Sequence, residues 1–119
     1  MSKVLVVDDS PTEIFQFKNI LEGLGHEVIT ADNGQDGVSK AMDSQPDLIL
    51  MDIVMPGMNG FQATRKISRA DETKHIPVII VSSKDQETDK VWGERQGAKG
   101  YITKPVDKEK LVALIGQLL

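Results

Sequence analysis

Cysteine is absent from this chain, and that absence removes disulfides, thiolate metal sites and cysteine nucleophiles together. Histidine is nearly absent too, with two in 119 residues, so a nitrogen-rich metal site has little to draw on. Basic residues are no majority: 14 Lys and Arg stand against 18 Asp and Glu, a net charge of −4. A general nucleic-acid binder needs clustered cations to meet phosphates, so that class is disfavoured. No apolar run is long enough to span a bilayer, and the opening M-S-K-V-L-V-V-D-D is too short for a signal peptide. The expectation is a cytoplasmic protein with no membrane insertion and no nucleic-acid partner.

What is present is ordinary in amount: 39% hydrophobic and 27% charged residues, enough for one domain with a real core. Five short apolar runs alternate with helical patterns. Val4–Val7, Glu27–Ala31, Leu48–Met51, Pro77–Val81 and Gly100–Thr103 read as strands, most of them too uniformly apolar to face water. Ser10-Pro11-Thr12-Glu13 reads as a helix start with Ser10 as N-cap and Glu13 closing a capping box. The stripe Ile14, Phe17, Ile20, Leu21, Leu24 follows, and Gly23 and Gly25 offer a stop. Asn33-Gly34 reads as a turn before a helix carrying Val38, Ala41 and Met42. Further helices are expected from about Gly60 to Arg69, through Val91, Trp92 and Arg95, and after an Asp107 cap with Leu111, Leu114, Ile115 and Leu118 inward. Trp92 is expected as a partly buried packing residue and Tyr101 as filler between sheet and helix; His26 and His75 are expected at the surface.

This βαβαβαβαβα order predicts a doubly wound parallel sheet with right-handed crossovers. The expectation is a single domain over residues 1–119, with no repeat, no linker and no output domain.

Parallel strands place all their carboxyl ends on one edge, where ligands bind in open α/β sheets. That edge collects Asp8 and Asp9 from the first strand, Asp52 from the third, Ser82 from the fourth and Lys104 from the fifth. Three neighbouring carboxylates repel and call for a cation. With only oxygens on offer, Mg²⁺ is the natural choice, and Mg²⁺ favours sites that also hold phosphate oxygens. Asp52 then reads as an oxygen nucleophile toward phosphorus, with Lys104 and the Ser82 hydroxyl binding phosphoryl oxygens. Each residue has a plainer reading alone. Asp8-Asp9 could complement a helix N-terminus, Ser82-Ser83 could be turn residues, and Lys104 a solvated lysine. Jointly those readings must explain polar groups at the matching end of four strands.

The Asp8-Asp9 pair, D-I-V-M-P-G-M-N-G around Asp52, Ser82 after P-V-I-I-V, and Lys104-Pro105 together resemble the receiver domain of two-component response regulators. The likeness spans essentially the whole chain. Its single-domain format is similar to the chemotaxis (CheY-like) type. The runs S-P-T-E, D-I-V-M-P-G-M-N-G-F-Q-A-T-R and K-D-Q-E-T-D-K-V-W-G-E-R-Q-G-A resemble regulators of type IV pilus twitching motility more narrowly.

The resemblance implies a flavodoxin-like (βα)5 fold with strand order 2-1-3-4-5 and phosphorylation of Asp52 by a CheA-like histidine kinase. It implies Mg²⁺ held by Asp9, Asp52 and the Val54 backbone carbonyl, with Asp8 acting directly or through water. Lys104 and Ser82 would contact the phosphoryl group, the Lys104-Pro105 peptide would be cis, and Ser82 and Tyr101 would form a switch. Readout is expected on the last two helices and strand five, around Trp92, Tyr101 and Lys108–Lys110. The implied protein is a monomeric phosphoacceptor that assists only its own phosphoryl transfer and dephosphorylation. It would act on a protein target such as a pilus motor or adaptor, or drain phosphoryl groups from a shared kinase.

Two residues past Asp52 stands Val54, and two past Ser82 stands Lys84, neither of which orients a water as an acid or amide would. Slow self-dephosphorylation is the expectation. An aspartyl-nucleophile phosphohydrolase, the competing enzyme class, would need an acid at position 54. A DNA-binding regulator lacks its helix-turn-helix here, and a flavodoxin lacks a phosphate-cradling loop, since Asp8-Asp9 would repel the anion.

Overall fold

The computed structural model describes all 119 residues, in ten elements that alternate strand and helix from end to end. They are β1 (Lys3–Val7), α1 (Pro11–Gly23), β2 (Glu27–Ala31), α2 (Gly34–Ser44), β3 (Leu48–Met51), α3 (Gly60–Arg69), β4 (Val78–Ser82), α4 (Glu87–Arg95), β5 (Gly100–Thr103) and α5 (Lys108–Leu118). The five strands pair in parallel in the order β2-β1-β3-β4-β5, the flavodoxin-like arrangement.

The period-2 alternation of a strand divides the core into two layers. From β1, Val4 and Val6 join Phe17 and Leu21 of α1 and Leu111 and Ile115 of α5. Leu5 and Val7 point the other way, against Val38 and Ala41 of α2 and Ala63 and Ile67 of α3. The central strands β3 and β4 are buried along their whole length, as their unbroken apolar runs require. A third, smaller cluster of Ile53, Ile80 and Ala98 packs with Phe61 and Tyr101. Beside it, α4 buries only Gly93, where a Cβ would come within 2.8 Å of Ile80 Cδ1. A helix with so little buried surface is held loosely compared with α1 or α5.

Local signals mostly did as the sequence suggests, with five differences. Ser10 Oγ accepts from the Glu13 N–H, but no capping box closes, because the Ser10 N–H donates to Asp8 Oδ1 at 2.9 Å and the Glu13 carboxylate turns to Lys104. Asn33-Gly34 is no free turn: Asn33 Oδ1 caps α2 by accepting from the Asp36 N–H at 2.7 Å. Leu24 and Met42, placed on apolar stripes by spacing, lie at helix ends and are largely exposed. Trp92 is 48% exposed on α4, less a packing residue than its type suggests. His75 is exposed as expected, whereas His26 is half-buried and its Nδ1 accepts from the Ser2 N–H at 3.3 Å.

Candidate functional site

The carboxyl edge of the sheet brings five of the predicted side chains into one place. Asp8 follows β1 and Asp52 follows β3, and both are held by extensions of the sheet ladder. The Asp8 N–H donates to the Ala31 carbonyl at 3.1 Å, and the Asp52 N–H to the Val7 carbonyl at 2.9 Å. Those bonds fix where each carboxylate leaves the sheet, so the pair is set by strand register rather than by loop conformation. Asp8 is 2% exposed and Asp52 8%, while Asp9 is open to solvent. One carboxylate oxygen from each of Asp8, Asp9 and Asp52 lies within 4.8 Å of the others.

Lys104 reaches back from the end of β5 into this group. Its Nζ donates to Asp8 Oδ2 at 3.1 Å and to Asp52 Oδ1 at 3.3 Å, and it also pairs with Glu13 Oε2. Its backbone N–H donates to the Ser82 carbonyl at 2.8 Å, tying the ends of β4 and β5 together. The Lys104-Pro105 peptide is cis. Ser82 is fully buried at the end of β4, and its Oγ accepts from the Lys84 N–H at 3.1 Å. Tyr101 is half-buried on β5 and donates its hydroxyl to the Lys84 carbonyl at 2.6 Å. Val54, two residues beyond Asp52, is 59% exposed at the rim.

The loop from Asp52 to α3 depends on glycine. A Cβ on Gly60 would lie 1.9 Å from the Asp52 carbonyl oxygen, so only a residue without one lets α3 start so close beneath the site. The Gly60 N–H donates to the Ile53 carbonyl at 2.9 Å, and a mutual cap between Asn59 and Gln62 begins the helix.

Charge is unbalanced here. Burial pushes the Asp52 carboxyl above its ordinary range, and the neighbouring Asp8 charge pushes it further, against the pull of Lys104. Burial likewise raises Asp8. For Lys104, burial works downward, yet Glu13, Asp52 and Asp8 together outweigh it and hold its ammonium above the ordinary value. Burial also raises the Tyr101 phenol, keeping it a hydrogen-bond donor. One ammonium against four carboxylates leaves room for a further cation. The oxygen-only donor set, two-thirds of it buried and drawn together by the sheet, suits a hard ion such as Mg²⁺.

Residues 4–116 match the response regulator receiver domain family. The chain belongs to that family. Receiver domains are signalling modules rather than a class of enzyme, and they bind Mg²⁺ at an acidic pocket of the kind formed by Asp8, Asp9 and Asp52. Protein PilH of Pseudomonas aeruginosa is 59% identical over 119 residues, covering 100% of this chain and 98% of PilH. Protein PilG of the same organism is 41% identical over 113 residues, covering 95% of this chain and 84% of PilG. Among solved structures, the chemotaxis protein CheY4 of Vibrio cholerae superposes with a TM-score of 0.93 at 31% identity, over 100% of this chain and 99% of that one. The receiver domain of a sensor histidine kinase from P. aeruginosa has a TM-score of 0.90 at 26% identity, over 98% of this chain and 96% of that one. That domain was solved with a magnesium ion coordinated in its active-site cleft.

Sequence reasoning missed one member of this receiver site. Glu13 lies one turn into α1, and its spacing from Ser10 fits a capping box as well as it fits a fourth acid at the pocket. Nothing in the spacing separates the two. The discriminating fact is three-dimensional: Asp8 occupies the Ser10 N–H that a capping Glu13 would need.

Proposed function

We propose that this receiver domain accepts a phosphoryl group on Asp52 from a phosphohistidine of a CheA-like histidine kinase and passes on the signal by changing its affinity for another protein. The observation that carries this reading is the convergence of Lys104 Nζ on Asp52 and Asp8 at the carboxyl edge, where Ser82 ends β4 opposite Thr103 of β5. An Asp52 carboxylate oxygen attacks phosphorus in line. The new O–P bond forms as the P–N bond breaks, and its electron pair leaves on the imidazole nitrogen of the donor, which then takes a proton from solvent.

Lys104 is the fixed positive charge toward the transferring oxygens, and it suits a tetrahedral anion because a point charge needs no bidentate alignment. Ser82 supplies a hydroxyl donor to the same group. Asp8, Asp9, Asp52 and the Val54 backbone carbonyl would hold Mg²⁺. When bound, the ion offsets the negative charge that gathers when a phosphoryl group meets these carboxylates. Burial and the Asp8 charge both disfavour the Asp52 anion, and such positive charge offsets that cost.

The new anion gives Ser82 a stronger partner than the Lys84 N–H. A serine that turns toward it releases one of the two bonds that hold Lys84, and the Tyr101 ring is free to move inward. The readout face is then α4, β5 and α5, where Trp92 is already exposed and α4 is weakly buried. The likeness to PilH and PilG supports a role in a chemosensory system for type IV pilus twitching motility, with a pilus motor or adaptor as target. Val54 withholds an acid or amide from the attacking water, which supports slow self-dephosphorylation. The test is transfer of labelled phosphoryl from an autophosphorylated CheA-type kinase. Label should reach the wild type within one Mg²⁺-dependent step and should not reach Asp52→Ala; equal labelling of both would overturn the reading.

A further inference from the structure

Three carboxylates already surround the Lys104 ammonium: Asp8 Oδ2 at 3.1 Å and Asp52 Oδ1 at 3.3 Å accept hydrogen bonds from it, and Glu13 Oε2 is paired with it. A phosphoryl oxygen arriving at the site therefore finds the ammonium already enclosed by carboxylates. One of the three acids must let go. Two of them lose their claim as the proposed reaction proceeds. Asp52 gives up its charge on the oxygen that bonds to phosphorus, and Asp8 gains a second source of positive charge when the acidic pocket takes up a cation.

Glu13 gains neither. Its Oε2 is buried against the Lys104 ammonium and loses that pairing whenever the lysine turns to another anion. Its side chain as a whole is one-third exposed, which gives it somewhere to go. On that side a cleft of about 440 Å³ opens between α1 and the segment after β5, lined by Glu13, Phe17, Ile20, Lys104, Pro105 and Val106. A rotation of the glutamate toward this cleft exchanges a buried ion pair for water without moving α1, whose N-cap is made by Ser10 and not by Glu13.

We infer that Glu13 is a positioning residue that competes with the phosphoryl group for Lys104, so that its outward swing is required for phosphorylation of Asp52. The inference rests on the phosphoacceptor reading above and adds to it a residue outside the acid triad. It gives the site a built-in bias toward the unphosphorylated state. Glu13 lowers the fraction of molecules in which Lys104 is available, and the apparent affinity for a phosphodonor falls by that fraction.

The experiment compares wild type, Glu13→Gln and Glu13→Asp with a small acyl-phosphate donor and Mg²⁺, following phosphorylation by intact mass against donor concentration. Glu13→Gln should lower the half-saturating donor concentration roughly twofold to fivefold, the scale of a partly solvated ion pair. The maximal rate should change less. Glu13→Asp is too short to reach Lys104 while it keeps the negative charge in the first turn of α1, so it should behave like Gln. A general effect of charge at the helix start predicts instead that Asp behaves like wild type, and that result overturns the inference. So does a Gln variant whose half-saturating donor concentration is unchanged, or a gain of the same size in a Lys104→Ala background. These failures leave Asp52-dependent mass gain intact. Its absence in the wild type itself would instead overturn the phosphoacceptor reading, and the competition with it.

Discussion

Ser82 and Tyr101 hold the same residue from its two ends. Ser82 Oγ accepts from the Lys84 N–H at 3.1 Å, and the Tyr101 hydroxyl donates to the Lys84 carbonyl at 2.6 Å. The two proposed switch residues thus communicate through one backbone segment between β4 and α4. Ser82→Ala removes the acceptor and should speed amide exchange at Lys84 in the unphosphorylated protein, at a cost of about 1 kcal/mol for the lost hydrogen bond. Phosphorylated wild type should show the same local acceleration. Residue-resolved hydrogen exchange reads both. Unchanged protection at Lys84 in either sample counts against this coupling.

Asp52 is costly to bury as an anion, and the sign of its contribution to stability follows. A carboxyl raised above its ordinary value, near 3.8, binds more protons folded than unfolded. Stability therefore falls as pH rises through the interval between those two values. Lys104 is also raised; its contribution is complete below the ordinary lysine value and is lost as pH climbs through the folded one. In metal-free solution Asp52→Asn should raise the melting temperature at neutral pH. Removing one of three like charges within 4.8 Å relieves about 1 kcal/mol or more of repulsion. The advantage should shrink as pH falls into the acid range, where the wild-type carboxyl, raised above its ordinary value, takes up its own proton. Thermal melts in chelator across that range test this; a variant less stable than wild type at neutral pH would refute it. Added Mg²⁺ should raise the wild-type melting temperature more than that of Asp52→Asn.

Val54 stands at the solvent rim beside the acceptor and offers no polar group to a water. Val54→Asn should shorten the lifetime of the phosphorylated protein, by roughly tenfold at most, since an amide orients water without taking its proton. The decay rate in Mg²⁺ after donor removal measures it. A variant that decays at the wild-type rate or more slowly would show that the side chain at 54 has no part in hydrolysis.

Gly60 should tolerate no side chain. Alanine there places a Cβ 1.9 Å from the Asp52 carbonyl oxygen, and the backbone of the acceptor residue must move to make room. Gly60→Ala should cost about 1–3 kcal/mol or more, the range of forced overpacking. It should also depress Mg²⁺ affinity, because the displaced backbone carries the Asp52 carboxylate with it. Chemical denaturation and calorimetric Mg²⁺ titration on the same protein separate the two effects. A stable variant with unchanged Mg²⁺ affinity would show that the loop is less constrained.

Much of this was legible in the residues. Unbroken apolar runs mark β3 and β4 because both faces of those strands are covered, and the turn and cap residues between them leave little freedom in topology. Parallel pairing then places the ends of β1, β3, β4 and β5 on one edge, so the juxtaposition of Asp8, Asp52, Ser82 and Lys104 follows from strand order alone. Glu13 was not legible, because a helical spacing of three residues serves a cap and a pocket equally. The exposure of Leu24 and Met42 was not legible either, since periodicity carries no information on where a helix outruns the sheet beneath it. Nor does a glycine in a list of helix residues reveal that a carbonyl will press against it, as the Asp52 carbonyl does at Gly60.

Everything proposed for this receiver rests on Asp52 as the acceptor. The most direct measurement is intact mass after incubation with Mg²⁺ and a small acyl-phosphate donor, for wild type and Asp52→Ala side by side. The wild type should gain one phosphoryl group, a gain lost on addition of chelator before the donor and absent from the variant. A gain of equal size in Asp52→Ala, or none in the wild type, would contradict Asp52 as the acceptor.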